Sequence, residues 1–186
     1  NSFQHEPYLK HMVKDRNYDL VSAAKTFVFP IGIYSKKIKD LNELTEGSVV
    51  AIPNDPTNGA RALLVLEKQG IIKLKHAEAD LVSVTDIIEN PKNIKIKELD
   101  AAQIPRSLDD LTCAAINTNY AISAGLNPAK DALVKEDAQS PYANIIAVKT
   151  ANKDNPAIQK FLKAYQSAEV KQFVMEKFAG SVVPAW

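Results

Sequence analysis

The chain has 186 residues, and its 23 basic and 22 acidic side chains leave a net charge of +1 at pH 7. Such a balance, without blocks of like charge, gives no electrostatic basis for nucleic-acid binding. The one cysteine, Cys113, excludes an intrachain disulfide and a thiolate zinc site, and its apolar neighbours predict a buried strand position. No apolar run reaches the roughly 18 residues that a membrane-spanning helix needs.

The first residues form a polar and aromatic segment ahead of an amphipathic helix, which is predicted from Pro7 to about Asn17. Strands are then predicted at 20–24 and 27–34, the second interrupted by Pro30, followed by a short capped helix at 40–44.

Residues 48–70 read as a buried strand, a turn-rich elbow and a helix. The β-branched run 49–52 is typical of a covered parallel strand, which residues 53–56 cannot continue. We expect Thr57 or Asn58 to cap the helix and Gly70 to end it.

This elbow is a candidate anion site. A helix start offers unpaired N–H groups, and Arg61, placed by this prediction in the first turn, adds a planar fork for a carboxylate or phosphate. The alternative is an ordinary strand–helix turn with a surface arginine, because the segment has no Walker or dinucleotide glycine pattern.

Helical and extended patterns continue to alternate after Gly70, which predicts an α/β fold. The predicted elements are a strand at 71–74, a helix or turn at 84–90, a strand at 94–99, a helix at 104–111, a strand at 112–117, a helical turn at 119–124, a strand at 144–148, and two helices that begin after Asn155 and Ser167.

The sequence shows no catalytic or metal-binding constellation. It has no HExxH pair, no histidine near the cysteine and no GxSxG elbow. The carboxylate pairs Asp109-Asp110 and Glu136-Asp137 are expected to be solvated surface groups. We therefore predict no catalytic residue, no metal ligand and no cofactor.

Polar and aromatic residues gather at predicted strand ends and elbows, positions that line ligand crevices in α/β sheets. Their chemistry suits an α-amino acid, with an arginine for the carboxylate, an asparagine carbonyl for the ammonium and aromatic faces for an apolar side chain. The residues are Phe3, His5, Tyr8, Arg61, Asn117, Tyr120, Tyr142 and Asn144.

Several of these residues also have a purely structural interpretation. His5 and Tyr8 are suited to capping the first helix, and Asn117 and Asn144 to turns that close their strands. At this point both interpretations stand.

Longer motifs give a specific resemblance that extends over the whole chain. They are FQHEPYL (3–9), YSKKI (34–38), AIPNDPTN (51–58), ENPKN (89–93), PRSLDD (105–110), AINTNYA (115–121) and SPYAN (140–144). Together they resemble the MetQ or NlpA family of methionine-binding lipoproteins, the substrate-binding components of methionine ABC importers.

The resemblance implies an α/β, two-lobed fold of the periplasmic-binding-protein type II kind. The first lobe would comprise 1–30 and 142–186, and the second 31–141. Family members carry a signal peptide, a lipidated cysteine and an opening strand–helix–strand before the segment that resembles 1–5. We therefore expect the first lobe to be incomplete in this chain.

The resemblance also implies function and roles. It implies an extracytoplasmic lipoprotein, not an enzyme, that captures L-methionine between two lobes and delivers it to a MetNI-like permease and ATPase. Phe3, His5 and Tyr8 match the wall of the first lobe, Arg61 the carboxylate-binding arginine, and Asn117 and Asn144 the asparagines on the ligand's backbone groups; Tyr120 and Tyr142 are left as structural neighbours.

Two alternatives remain at this stage. One is the same family tuned to D-methionine or a methionine-containing dipeptide. The other is a small α/β enzyme that uses the Arg61 elbow for a phosphate or carboxylate substrate.

Overall fold

The computed structural model describes residues 1–75, 81–137 and 141–186, so Ser140, the first residue of the SPYAN motif, lies outside the described residues. The chain forms two compact units. Unit 1 combines Asn1–Pro30 with Asp137–Trp186, and unit 2 is Ile31–Glu136.

Both units mix helices and strands, as the alternating pattern predicts. The helices are α1 Glu6–Arg16, α2 Pro56–Lys68, α3 Thr118–Ser123, α4 Pro156–Tyr165 and α5 Ala168–Phe178. The strands are β1 Leu20–Val28, β2 Gly32–Tyr34, β3 Val49–Pro53, β4 Lys73–Leu74, β5 Ile87–Glu89, β6 Lys95–Leu99, β7 Cys113–Ile116, β8 Ala132–Lys135, β9 Ala143–Lys149 and β10 Val183–Pro184. None of the helices in the described ranges is long and apolar enough to cross a membrane.

Unit 1 is built on a three-stranded antiparallel sheet in the order β10-β1-β9. Helix α1 places Leu9 against Ile145 and Ala147 of β9. A second cluster joins Phe27 of β1 to Val174 of α5 and to Val182. The residues before α1 also join the sheet, because His5 and Asn144 form an antiparallel bridge.

Unit 2 is built on a five-stranded sheet in the order β6-β3-β7-β2-β8. Strand β3 is parallel to both neighbours, whereas β2 is antiparallel to β7 and β8. Successive side chains of a strand point to opposite faces. Val50 and Ile52 accordingly pack with Leu63 of α2, while Ala51 packs with Ile104 and Leu108 on the other face.

The elbow between β3 and α2 begins the helix earlier than the sequence predicts. Asp55 is the N-cap, and its carboxylate accepts the backbone N–H of Asn58 at 3.0 Å. Pro56 takes the first helical position, where the missing N–H costs nothing. The expectation of a Thr57 or Asn58 cap is therefore wrong, because an aspartate followed by proline supplies the stronger start signal.

Two glycines shape α2. Gly70 has φ = 68° just after the C-cap, so it ends the helix as predicted. Gly59 faces β3 so closely that a Cβ there would lie 2.9 Å from the carbonyl oxygen of Pro53. The first turn of the helix therefore packs directly on the end of the strand.

Three other boundaries differ from the prediction. Strand β1 continues through Val28 because its last residues pair with β10, so the break falls between 28 and 32 rather than after 24. Residues 87–89 form β5 because they pair with β4. The predicted helix at 104–111 is only a 3-10 turn, Ile104–Ser107.

Other local predictions are confirmed. Asn155 and Ser167 cap α4 and α5 by accepting the N–H groups of Ala157 and Val170. Cys113 is fully buried in β7, and burial raises the pKa of its thiol to about 12. The thiol is therefore a core group that stays protonated at neutral pH.

Candidate functional site

Arg61 is buried, with 3% of its side chain exposed, so it is not a surface arginine. Because α2 begins at Pro56, Arg61 is the sixth helical residue and lies in the second turn rather than the first. The helix start itself is occupied by the carboxylate of Asp55, which accepts from Thr57 Oγ1 at 2.9 Å as well as from the Asn58 amide. Arg61 and the N–H groups at the start of α2 therefore do not form a single anion-binding site.

The guanidinium of Arg61 makes an ion pair with Glu136. Nε donates to Glu136 Oε1 at 3.2 Å and Nη2 donates to Oε2. Only 10% of the Glu136 side chain is exposed. Nη1 donates to Asn58 Oδ1 at 3.1 Å, so three acceptor oxygens from two residues of unit 2 fix the plane of the guanidinium.

Asn117 joins the same network at the end of β7, where it is the N-cap residue of α3. Its Nδ2 donates to Asn58 Oδ1 at 3.0 Å, so Asn58 links Asn117 to Arg61. Asn117 Oδ1 is buried and has no hydrogen-bond partner among the described residues. A buried acceptor of this kind suits an ammonium or another N–H donor.

The predicted residues of unit 1 form a second group around His5. His5 is 5% exposed and caps α1, since its Nδ1 accepts the N–H of Tyr8 at 3.1 Å. Its ring makes edge-to-face contacts with Tyr8 at 6.1 Å and Tyr142 at 5.2 Å between centroids. Because Nδ1 is an acceptor, the neutral imidazole carries its hydrogen on Nε2.

Asn144 and Phe3 lie beside this aromatic group. Asn144 Nδ2 donates to the carbonyl oxygen of Phe3 at 3.1 Å. Phe3 is 70% exposed. Asn144 therefore has a structural role in holding the first residues on β9, whatever else it contacts.

The two tyrosines left as structural neighbours differ in their surroundings. Tyr142 is 8% exposed and packs on His5. Tyr120 lies at the edge of the cluster around Ile104 and Leu108.

Sequence reasoning missed three members of the network in unit 2. They are the cap Asp55, the bridging Asn58 and the counterion Glu136. The expectation that Glu136 is a solvated surface group is wrong, because it pairs with Arg61. The signal was its position directly after β8, a strand whose first three residues are apolar. In contrast, Asp109 is exposed and pairs with Lys36, as expected for a surface group.

Neither group has the composition of a metal centre. Within the described ranges, no three histidine, cysteine or carboxylate side chains are arranged to hold a metal ion. The chemistry on offer is that of charge pairing, amide hydrogen bonding and aromatic contact.

Comparison with known proteins places the chain in a family. The family model described as NlpA lipoprotein matches residues 1–186. The chain belongs to the NlpA lipoprotein family. The D-methionine-binding lipoprotein MetQ of Salmonella typhi is 55% identical over 188 residues, which cover 100% of this chain and 69% of that protein.

Solved structures of binding proteins have the same fold. A nutrient-binding protein of Burkholderia cenocepacia bound to methionine matches with a TM-score of 0.97 at 54% identity, covering 100% of this chain and 78% of that one. A periplasmic substrate-binding protein of an ABC transporter from Coxiella burnetii matches with a TM-score of 0.95 at 49% identity, over 100% and 78%. The predicted fold class is thereby confirmed.

Proposed function

We propose that this chain is an extracytoplasmic substrate-binding protein that captures L-methionine and delivers it to an ABC importer. The observation that carries the proposal is the match of the whole chain, at 54% identity, to a binding protein whose structure contains methionine. The proposal includes a periplasmic or outer-face location, tethering through a lipidated N-terminus, and a MetNI-like permease and ATPase as partner.

The residues proposed to contact the ligand are those predicted from the sequence. Arg61 binds the carboxylate, a role supported by its burial and its fixed guanidinium. Asn117 binds the ammonium, a role supported by its buried Oδ1, which has no hydrogen-bond partner in the part of the chain that the structure describes. Phe3, His5, Tyr8 and Asn144 complete the contacts; their proximity to one another in unit 1 supports this grouping. The lobes proposed are 1–30 with 142–186 and 31–141.

We propose binding without catalysis. The relatives are lipoproteins and substrate-binding proteins by name, and the two groups of residues contain no nucleophile paired with a base.

D-Methionine is the second candidate ligand, because relatives at 55% identity are named for it. The enantiomers share the carboxylate, the ammonium and the thioether, so the contacts proposed for Arg61 and Asn117 serve both. Relative affinity decides between them.

The test is direct identification of the ligand. The full-length protein is purified, denatured and its released small molecules are analysed by mass spectrometry with chiral separation. Calorimetry on ligand-stripped protein then compares L-methionine, D-methionine, a methionine-containing dipeptide and inorganic phosphate. We expect L-methionine to be released and to bind most tightly. Tighter binding of D-methionine or the dipeptide would select that alternative, and binding of phosphate alone would contradict the proposal.

A further inference from the structure

The partner of Arg61 is held more rigidly than a surface counterion. The backbone N–H of Glu136 donates to the carbonyl of Ile31 at 2.8 Å, which extends the pairing of β8 with β2 by one residue. The N–H of Ile31 donates in turn to Glu136 Oε2 at 3.2 Å. Both the backbone and the carboxylate of Glu136 are therefore fixed by the same neighbour.

This carboxylate meets the side edge of the guanidinium, through Nε and Nη2. Asn58, fixed by two hydrogen bonds from its Nδ2 to the Asp55 carboxylate at 2.9 and 3.1 Å, takes Nη1. A long, flexible arginine side chain thus has one orientation set at both ends of its planar group. Pre-orientation of this kind lowers the entropy that a ligand must lose on binding.

We propose that Glu136 is a positioning residue for ligand binding, which orients Arg61 toward the ligand's carboxylate. This inference rests on the proposed function. Glu136 makes no contact with the ligand in this proposal and acts only through the guanidinium.

The negative charge of Glu136 also has an effect that opposes binding of the ligand's carboxylate. A carboxylate already on Arg61 reduces the net positive potential that a second carboxylate meets. If this term dominated, removing the charge would tighten binding. We expect orientation to dominate, because the amide NH₂ of glutamine at 136 would face Nε of Arg61 or, in the flipped orientation, both Nη2 of Arg61 and the N–H of Ile31, and in either case donors would meet donors.

The experiment compares Glu136→Gln with Glu89→Gln in the full-length protein by calorimetry. Glu89 is the matched control, since it lies in unit 2 in an exposed ion pair with Lys73. Each protein is titrated with L-methionine and with L-methioninamide, which lacks the carboxylate charge. We expect Glu136→Gln to weaken L-methionine binding at least tenfold and L-methioninamide binding less than threefold, and Glu89→Gln to change neither by more than twofold.

The second ligand separates positioning from a general structural role. A merely loosened fold would weaken both ligands by the same factor, and that result would overturn the proposal. Unchanged or tighter L-methionine binding would overturn it as well. If wild type and the control bind neither ligand, the proposed function itself fails, which is a different outcome.

A second variant covers the case in which Glu136→Gln does not fold. Glu136→Asp keeps the charge beside buried Arg61 but shortens the reach to it. We expect the same selective loss of binding to L-methionine over L-methioninamide, measured well below the variant's own melting temperature.

A double variant tests whether Glu136 acts through Arg61. In a protein that already carries Arg61→Ala, Glu136→Gln should cause no additional loss of affinity, because it acts through the guanidinium. A further tenfold loss there would contradict that pathway.

Discussion

Asn58 Oδ1 accepts one hydrogen bond from Asn117 Nδ2 at 3.0 Å and another from Arg61 Nη1 at 3.1 Å. One amide oxygen thereby connects the end of β7 to the second turn of α2. Asn117 and Arg61, the two residues proposed to bind the polar groups of an amino acid, are thus held together by Asn58. The sequence indicated Asn58 only as a possible N-cap of α2.

Arg61→Ala should abolish tight methionine binding. It removes the partner of a desolvated carboxylate, and breaking one side of a buried charge pair costs about 3–5 kcal/mol. Calorimetry should show at least a hundredfold weaker binding. Arg106→Ala, at an exposed arginine of the same unit, is the control and should bind like wild type. A change below fivefold for Arg61→Ala would contradict the proposed role.

Asn117→Ala should impair binding with little effect on stability. The substitution removes a buried oxygen that has no partner among the described residues, together with the hydrogen bond from Nδ2 to Asn58 Oδ1. Asn58 Oδ1 still accepts from Arg61, so the folded state should lose only about 1 kcal/mol. A hydrogen bond to a charged group contributes about 1.5–3 kcal/mol, or roughly 10- to 150-fold in affinity. Asn42→Ala, at an exposed position of unit 2, is the matched control. Wild-type affinity in Asn117→Ala would exclude an ammonium contact at Oδ1.

Asn144→Ala should also weaken binding while the fold persists. Its side chain holds the Phe3 carbonyl, but the adjacent backbone bond from Ile145 to the carbonyl of Gln4, at 3.1 Å, is independent of that side chain. We expect about a tenfold loss of affinity and a melting temperature within a few degrees of wild type. A sharp fall of the melting temperature with unchanged affinity would show that Asn144 is structural only.

Tyr34→Phe should reduce the loss of folding stability at alkaline pH. Tyr34 is 1% exposed, and burial, followed by the charge of Asp131, raises the pKa of its phenol above the ordinary value of 10.0. Above about pH 10 the unfolded tyrosine loses its proton while the folded one keeps it, so the wild type loses stability by up to about 1.4 kcal/mol per pH unit. Phenylalanine cannot ionise and lacks this loss.

At pH 7 the same variant should be about 1 kcal/mol more stable. The hydroxyl of Tyr34 is buried without a hydrogen-bond partner among the described residues, and removing it relieves a desolvation cost. Urea unfolding at pH 7 and pH 11 checks both statements. Tyr18→Phe, at a 47% exposed tyrosine, is the control. Equal pH slopes for wild type and Tyr34→Phe would contradict the buried phenol.

The sequence predicts local structure well where signals are short-range. Caps such as Ser167 and the strand 49–52 depend on neighbouring residues, and both are confirmed. Residues 87–89 could not be identified as a strand, because their partner β4 is a two-residue segment whose pairing depends on tertiary structure. Glu136 was misjudged for the same reason. Its burial depends on an arginine 75 positions away, and charge alone predicts exposure.

The family motifs gave candidate residues for the site but not the contacts between them. Each of His5, Arg61 and Asn117 has a structural contact inside its own unit, as a helix cap, an ion-pair partner or a bridge. The family resemblance implies only a ligand-binding role for each of these residues. His5 caps α1, and its contact with the ligand stays a prediction.

Helix α2 can approach β3 closely only because Gly59 has no Cβ, and this approach sets the position of Arg61. A single methyl group at 59 would meet the Pro53 carbonyl at 2.9 Å and would act as a wedge between strand and helix. Arg61 lies two residues further on, so the wedge would carry its guanidinium away from Glu136 without altering any polar side chain. Loss of binding would then arise from a mutation that looks harmless by chemistry, and a screen for impaired transport should recover substitutions at position 59 alongside those of the charged residues.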